Sequence, residues 1–166
     1  MKTRTPHDLL FDQLRDLHSV ETQLLASLPV LAARADYNPL YELIAGHAIQ
    51  TAGQAELATA MLQRHGTGPG GDKCRAMEGL IAGGDAHLDA VDVPRTRDLM
   101  IVAHASRIEH YEIAGYGIAL RLAQRLGLEE EALILESILV EEREAARRLE
   151  ELEPALFERA QEGARP

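Results

Sequence analysis

Only one cysteine, Cys74, occurs among the 166 residues, so no intrachain disulfide can form. That fits a reducing compartment. Positive charge is scarce too, with 17 lysines and arginines against 27 aspartates and glutamates and a formal net charge of -10. Non-specific binding to phosphates needs the opposite excess, so no nucleic-acid partner is expected. Long hydrophobic runs are missing. The N-terminal MKTRTPHDLLFDQLRD sets Asp8, Asp12 and Asp16 among its apolar positions, unlike a signal peptide, and no later run approaches membrane-spanning length. A cytoplasmic protein with no membrane contact is the expectation. Finally, there is little room for strands between the long segments of 3.6-residue periodicity, and residues 1–166 read as a single all-α domain.

Four long helices account for most of the chain. Thr5 before Pro6 is a start signal, a capping residue followed by proline at the first helical position. The first helix runs to about Ala35 with a seam of Leu10, Leu14, Leu17, Glu21, Leu24, Leu28 and Leu31, and Pro29 bends it near its end. Asn38 and Pro39 repeat the signal for a second helix to about His65, whose seam is Leu40, Leu43, His47, Gln50, Gln54, Leu57 and Met61. GTGPGG at 66–71 then breaks the pattern. The connection onward to Pro94 holds one short helix in KCRAMEGLIAGG, ended by Gly83 and Gly84. A third long helix spans Pro94 to Leu126, stopped by Gly127, and a fourth runs from Glu129 to Leu152, with Pro154 beyond it and a frayed tail over 154–166. Short, long and short connections imply an up-down-down-up, ferritin-like four-helix bundle with a long crossover between its second and third helices.

Carboxylates interrupt the apolar seams. In ASRIEHYEIAGYG, Glu109 and Glu112 share a face with Val102, Ala105, Ile113, Tyr116 and Leu120, and Glu142 interrupts Leu135, Ile138, Ala145, Leu149 and Leu152. In an antiparallel pair, residues equally far from the turn lie at one height. Glu112 and Glu142 are each 15 residues from Gly127 and should face one another. Counted from Tyr37, Glu21 matches position 53, which brackets Gln50 and Gln54 and leaves His47 nearly two turns away. Buried carboxylates left alone cost several kcal/mol, roughly, unless protonated or paired with a cation. Four of them match the charge of two divalent ions, and carboxylate-rich bundles hold paired iron or manganese in this way.

These segments resemble the YciF-like family of ferritin-like proteins, a bacterial stress-associated group. The resemblance spans roughly residues 6 to 153 and rests on LRDLHSVETQLLASLP, GHAIQTAGQ, CRAMEGLI, IEHYEIAGYG and LVEEREAARRL. It implies a bundle, frequently a homodimer, with a dinuclear metal site of iron or manganese. By that resemblance Glu21, Glu109, Glu112 and Glu142 are metal ligands, and Gln54 lies among them or beside them. Gln50 stands where the family usually carries a glutamate, and Ala146 where it usually carries an aspartate. The histidine of the ferritin Glu-x-x-His signature is missing as well, with Gly53 and Ala145 at its two places. Two lost negative charges weaken the binding of a second ion. Rubrerythrin-type peroxidases also offer two glutamates three apart on the third helix, and this parallel implies oxidase- or peroxidase-type chemistry in stress or oxidant response, with one or two metal ions. Without a four-cysteine rubredoxin-like site, the electron donor would be a separate partner.

Plainer readings stand beside these. A helical dimer with a degenerate site and no catalysis is the alternative function. His47 and His104 read as packed or surface residues, and His110 points about 100° away from Glu109 around the helix. Tyr116 reads as core with a satisfied hydroxyl, or as a hydrogen-bond partner of a ligand carboxylate. Cys74 and Met77 read as packing residues, and Gly115 and Gly117 as permitting a close helix approach.

Overall fold

The computed structural model describes residues 3–163, and all its regular elements are helices. They are α1 (Pro6–Ala33), α2 (Asn38–Arg64), α3 (Arg75–Asp89), α4 (Pro94–Leu126) and α5 (Glu129–Gly163). The long helices α1, α2, α4 and α5 form a square bundle. α1 packs on α2 and α4, α5 packs on α4 and α2, and α3 lies outside against α4 and α1. Both N-terminal α1 and C-terminal α4 side chains share one apolar cluster with the end of α2 and the start of α5, which gives the up-down-down-up topology. Among the described residues no helix is long and apolar enough to cross a membrane.

Local chemistry sets the ends. Thr5 caps α1 by accepting the Asp8 N–H at 3.0 Å while Asp8 Oδ2 accepts the Thr5 N–H at 3.0 Å, a reciprocal capping box. At the other hairpin Gly127 adopts φ +70, and its N–H and that of Leu128 donate to Gln124 and Ala123 carbonyls at 3.2 and 3.0 Å. That left-handed residue is what lets α4 stop and α5 begin at once. α2 starts differently from expectation, because Tyr37 holds the cap position without a side-chain bond and Asn38 instead donates to Glu42 at 2.7 Å.

Two helices outrun their sequence signals. α3 continues through Gly83 and Gly84 to Asp89, since Leu88 is fully buried and Gly84 provides a slot for the His104 ring. A Cβ at Gly84 would stand 2.0 Å from that ring. α5 passes Pro154, and its last turns are held by the buried Leu156 and by Arg159. The Arg159 guanidinium lies 4.6 Å from the centre of the Tyr37 ring and 3.2 Å from Asp36 Oδ2. Packing of these turns outweighs the one backbone bond that a proline forfeits. The tail expected to fray is therefore helical to Gly163, and 164–166 lie outside the described residues.

The core comes in two apolar halves. One gathers Val20, Leu24, Leu28, Leu40, Ile44, Ile101, Ile108 and Leu149, and the other Leu10, Leu14, Leu17, Met61, Tyr116, Ala123, Leu135 and Ile138. Between them each long helix contributes buried polar residues. These are Glu21 from α1, His47, Thr51 and Gln54 from α2, Glu109 and Glu112 from α4, and Glu142 from α5. Hydrophobic burial on both sides pins that polar layer in place. α4 also approaches α1 closely at Gly115, where a Cβ would meet Leu17 at 2.8 Å, whereas Gly117 has only Arg121 of its own helix nearby.

Candidate metal centre

Four side chains converge in the polar layer. His47, Glu109, Glu112 and Glu142 each offer one ligand-type atom, and these atoms all lie within 4.8 Å of one another. His47 Nε2 is 3.4 Å from Glu109 Oε1, 3.9 Å from Glu142 Oε2 and 4.0 Å from Glu112 Oε2. Such separations exceed hydrogen-bond length. The shortest equals the edge of a tetrahedral coordination shell, for which metal–ligand bonds of about 2.1 Å give neighbours roughly 3.4 Å apart, and the other two are wider by about half an ångström.

The hydrogen-bond inventory points the same way. Both oxygens of Glu112, Oε2 of Glu109, Oε2 of Glu142 and both ring nitrogens of His47 are buried without a hydrogen-bond partner. Buried polar atoms in folded proteins nearly always have partners, and each one left without costs about 1–3 kcal/mol. Several together on one centre are the signature of a group that completes itself with something else. Three carboxylates and an imidazole, with no thiolate, suit a first-row divalent ion such as iron or manganese.

On the side of the layer nearer Tyr116 the acceptors are differently occupied. The Tyr116 hydroxyl donates to Glu21 Oε1, and Gln54 Nε2 donates to Glu142 Oε1 at 2.6 Å and to Glu141 Oε2 at 3.0 Å. Gln54 thereby holds the Glu142 carboxylate so that Oε2 is the oxygen turned toward His47.

Electrostatics follows from the burial. Removal from water raises Glu21 to about 8, with the Glu142 charge adding to it and the Tyr116 hydroxyl opposing. Burial raises Glu142 to about 7 against the neighbouring Glu109 carboxyl and the hydrogen bond from Gln54. Glu109 and Glu112 lie well above the ordinary carboxylate range, through burial first and then through the neighbouring carboxylates. His47 moves the other way, pushed by burial down to about 4 with the Gln50 amide beside it opposing. At neutral pH its ring is uncharged and its lone pair available.

The positions singled out in the sequence divide accordingly. Glu109, Glu112 and Glu142 meet in the four-residue group, and the expected facing of Glu112 and Glu142 is seen. Glu21 is buried and neighbours Glu112 and Glu142, but it is bonded to Tyr116 and stands outside that group. Gln54 binds Glu142 as an amide donor. Gln50 is exposed, with its amide beside the His47 ring, and is not among the four converging residues. Ala146 is buried with only a methyl group to offer.

His47 corrects the sequence reading, which treats it as a packing residue two turns from the site. Counting from the α1–α2 turn compares α2 with α1, whereas the partner of His47 is Glu109 on α4, the helix diagonally opposite and parallel to it. The signal was present in the spacing. Polar positions 47, 51 and 54 on α2 span the same two turns as 109, 112 and 116 on α4. His104 reads correctly as packed, for it is buried against Gly84. His110 turns outward to the Ser106 carbonyl at 2.8 Å, and Cys74 and Met77 are apolar core.

Space around the group is tight. A small void of about 10 Å³, walled by Leu28, Leu43, Ile44, Ala105, Ala145 and Leu149, touches His47 and Glu109. The larger clefts, of about 540 and 610 Å³, are open grooves along α1 and the start of the crossover, away from the carboxylates.

Comparison with known proteins agrees with this architecture. The family model described as "Domain of unknown function (DUF892)" matches residues 5–162. Protein YciF of Escherichia coli K12 is 33% identical over 144 residues, covering 86% of this chain and 87% of its own length. The crystal structure of the E. coli stress protein YciF superposes with a TM-score of 0.89 at 30% identity, over 94% of this chain and 99% of that one. YcfI of Rhodopseudomonas palustris superposes at 0.86 with 33% identity, over 89% and 94% of the two chains.

Proposed function

The chain belongs to the YciF-like DUF892 family, and from that premise we propose that it is a metal-binding protein of stress or oxidant response, using iron or manganese. The observation that carries this reading is the set of unpartnered, buried donor atoms on His47, Glu109, Glu112 and Glu142. A redox-active ion bound there would supply electron transfer to oxygen or peroxide. The chain's own residues supply the setting. His47 presents a neutral ring nitrogen, Gln54 orients Glu142, and the Tyr116 hydroxyl keeps its proton on Oη toward Glu21. Near-complete burial limits any reactant to small-molecule size, and the small void beside His47 and Glu109 is of the order of one water molecule. A homodimeric assembly and a separate electron donor belong to the same proposal, as does a cytoplasmic location.

Metal analysis of protein purified without chelator tests it. Wild type should carry iron or manganese, and Glu109→Ala and Glu142→Ala should lose most of it. Equal metal content in all three proteins would remove the site.

A second reading, a structural helical protein without catalysis, has Gln50 and Ala146 in its favour, since neutral residues occupy both places. The two readings separate on melting with added Mn(II) or Fe(II). An ion that binds only the folded state stabilises it by about 2.7 kcal/mol at a hundred times Kd. The structural reading expects no shift.

A further inference from the structure

We infer that the centre holds a single ion per chain, bound by His47, Glu109, Glu112 and Glu142, and that the position beside Glu21 is closed by the protein's own hydrogen bonds. The inference rests on the metal-binding reading and departs from the dinuclear arrangement that the resemblance implies.

The polar layer is asymmetric along the bundle axis. Around His47, four residues each present one donor atom within 4.8 Å of the others, and both Glu112 oxygens, Glu109 Oε2, Glu142 Oε2 and the His47 ring nitrogens have no partner. That is a full protein ligand set for one first-row ion. Toward the half containing Tyr116 the acceptors are engaged. Glu21 Oε1 accepts the Tyr116 hydroxyl, and Glu142 Oε1 accepts the Gln54 amide. What remains there is one oxygen of Glu21, the neutral oxygens of Gln54 and Thr51, and the second oxygen of Glu112, whose charge the four-residue group already uses.

Charge and ligand number reinforce this. Divalent first-row ions in carboxylate-rich bundles draw a glutamate from each helix and further donors from two of them. Here Gln50 is exposed and Ala146 has no donor, so neither helix α2 nor α5 adds a carboxylate for a second ion. His47 adds a fourth donor to the three carboxylates of that group and brings no negative charge for a second ion. Tyr116 therefore engages one Glu21 oxygen, and Glu21 borders the four-residue group through its neighbour Glu112.

Titration of metal-free protein with Mn(II), followed by calorimetry and by the manganese electron paramagnetic resonance spectrum, tests this. The expected result is one ion per chain with the spectrum of an isolated Mn(II). Glu21→Gln should keep that stoichiometry with affinity within about threefold, while Glu109→Gln should weaken binding by about tenfold or more. Two ions per chain with an exchange-coupled spectrum would overturn the single-ion inference and leave the metal-binding reading standing. Loss of binding in a folded Glu21→Gln would overturn it as well, and should that variant not fold, the wild-type stoichiometry and spectrum decide. No uptake by wild type would remove the metal-binding reading and this inference together.

Discussion

His47 Nε2 stands 3.4 Å from Glu109 Oε1, close enough to share a cation and too far to share a proton. The pair joins the two diagonal helices of the bundle. Replacing His47 by Ala should weaken Mn(II) binding by about tenfold or more. His104→Ala is the control, because His104 is equally buried but packs against Gly84 on the outer helix. It should lower the melting temperature and leave metal affinity unchanged. Calorimetric titration of both variants checks this, and equal losses of affinity would contradict the assignment of His47.

The buried carboxylates give the metal-free protein a stability that falls as pH rises. Glu21 and Glu142, raised by burial to about 8 and about 7, hold protons in the folded state at pH values where the unfolded chain has lost them. Their contribution is complete below the ordinary glutamate pKa and disappears as pH passes through the folded values. His47 has the opposite sign, since its folded value of about 4 makes stability increase with pH up to the ordinary histidine range. Between about pH 6.5 and 8 only the glutamates act. Melting temperature of the metal-free protein should fall across that window, and Glu21→Gln should flatten the fall.

Glu112 is fully buried with both oxygens unpartnered. Exchange for the apolar Met removes that cost, so Glu112→Met should stabilise the metal-free protein by about 1–3 kcal/mol. For a domain of this size, that is a rise of roughly 2–4 °C per kcal/mol. The same variant should lose the stabilisation that wild type gains from Mn(II). Thermal scans with and without metal give both numbers.

Asp98 on α4 is buried and accepts the Asp36 N–H at 2.8 Å, tying the α1–α2 turn to the bundle. Asp98→Ala should cost about 1–3 kcal/mol, because it leaves that N–H without its partner. Arg159→Ala loses a cation–π contact and a partly exposed ion pair and should cost nearer 1 kcal/mol. Urea unfolding compares the two, and a larger effect at Arg159 would show that the last turns of α5 carry more of the stability than their contacts suggest.

Helix ends were readable in proportion to how local their cause is. Thr5 with Asp8, and Gly127 with its two carbonyl partners, are written within a few residues. Asp89 as the end of α3 and Gly163 as the end of α5 were not, because His104 and Leu88 extend the one and Leu156 and Arg159 extend the other through contacts distant in sequence. Among the site residues, Glu109, Glu112 and Glu142 were visible as breaks in an apolar stripe. Glu21 was visible in the same way, and so was a Tyr116 bond to a ligand carboxylate, although which carboxylate accepts it was not.

The periodicity of the chain alone determined four long helices, their up-down-down-up connection and the acidic breaks in three seams, since each is a property of one helix and its immediate turn. Which polar side chains meet was decided by the bundle. His47 reaches Glu109 across the diagonal, Gln50 stays exposed and Gln54 turns Glu142, because side-chain direction at the centre depends on how four helices rotate to bury two apolar halves at once. No single helix carries that rotation in its own sequence.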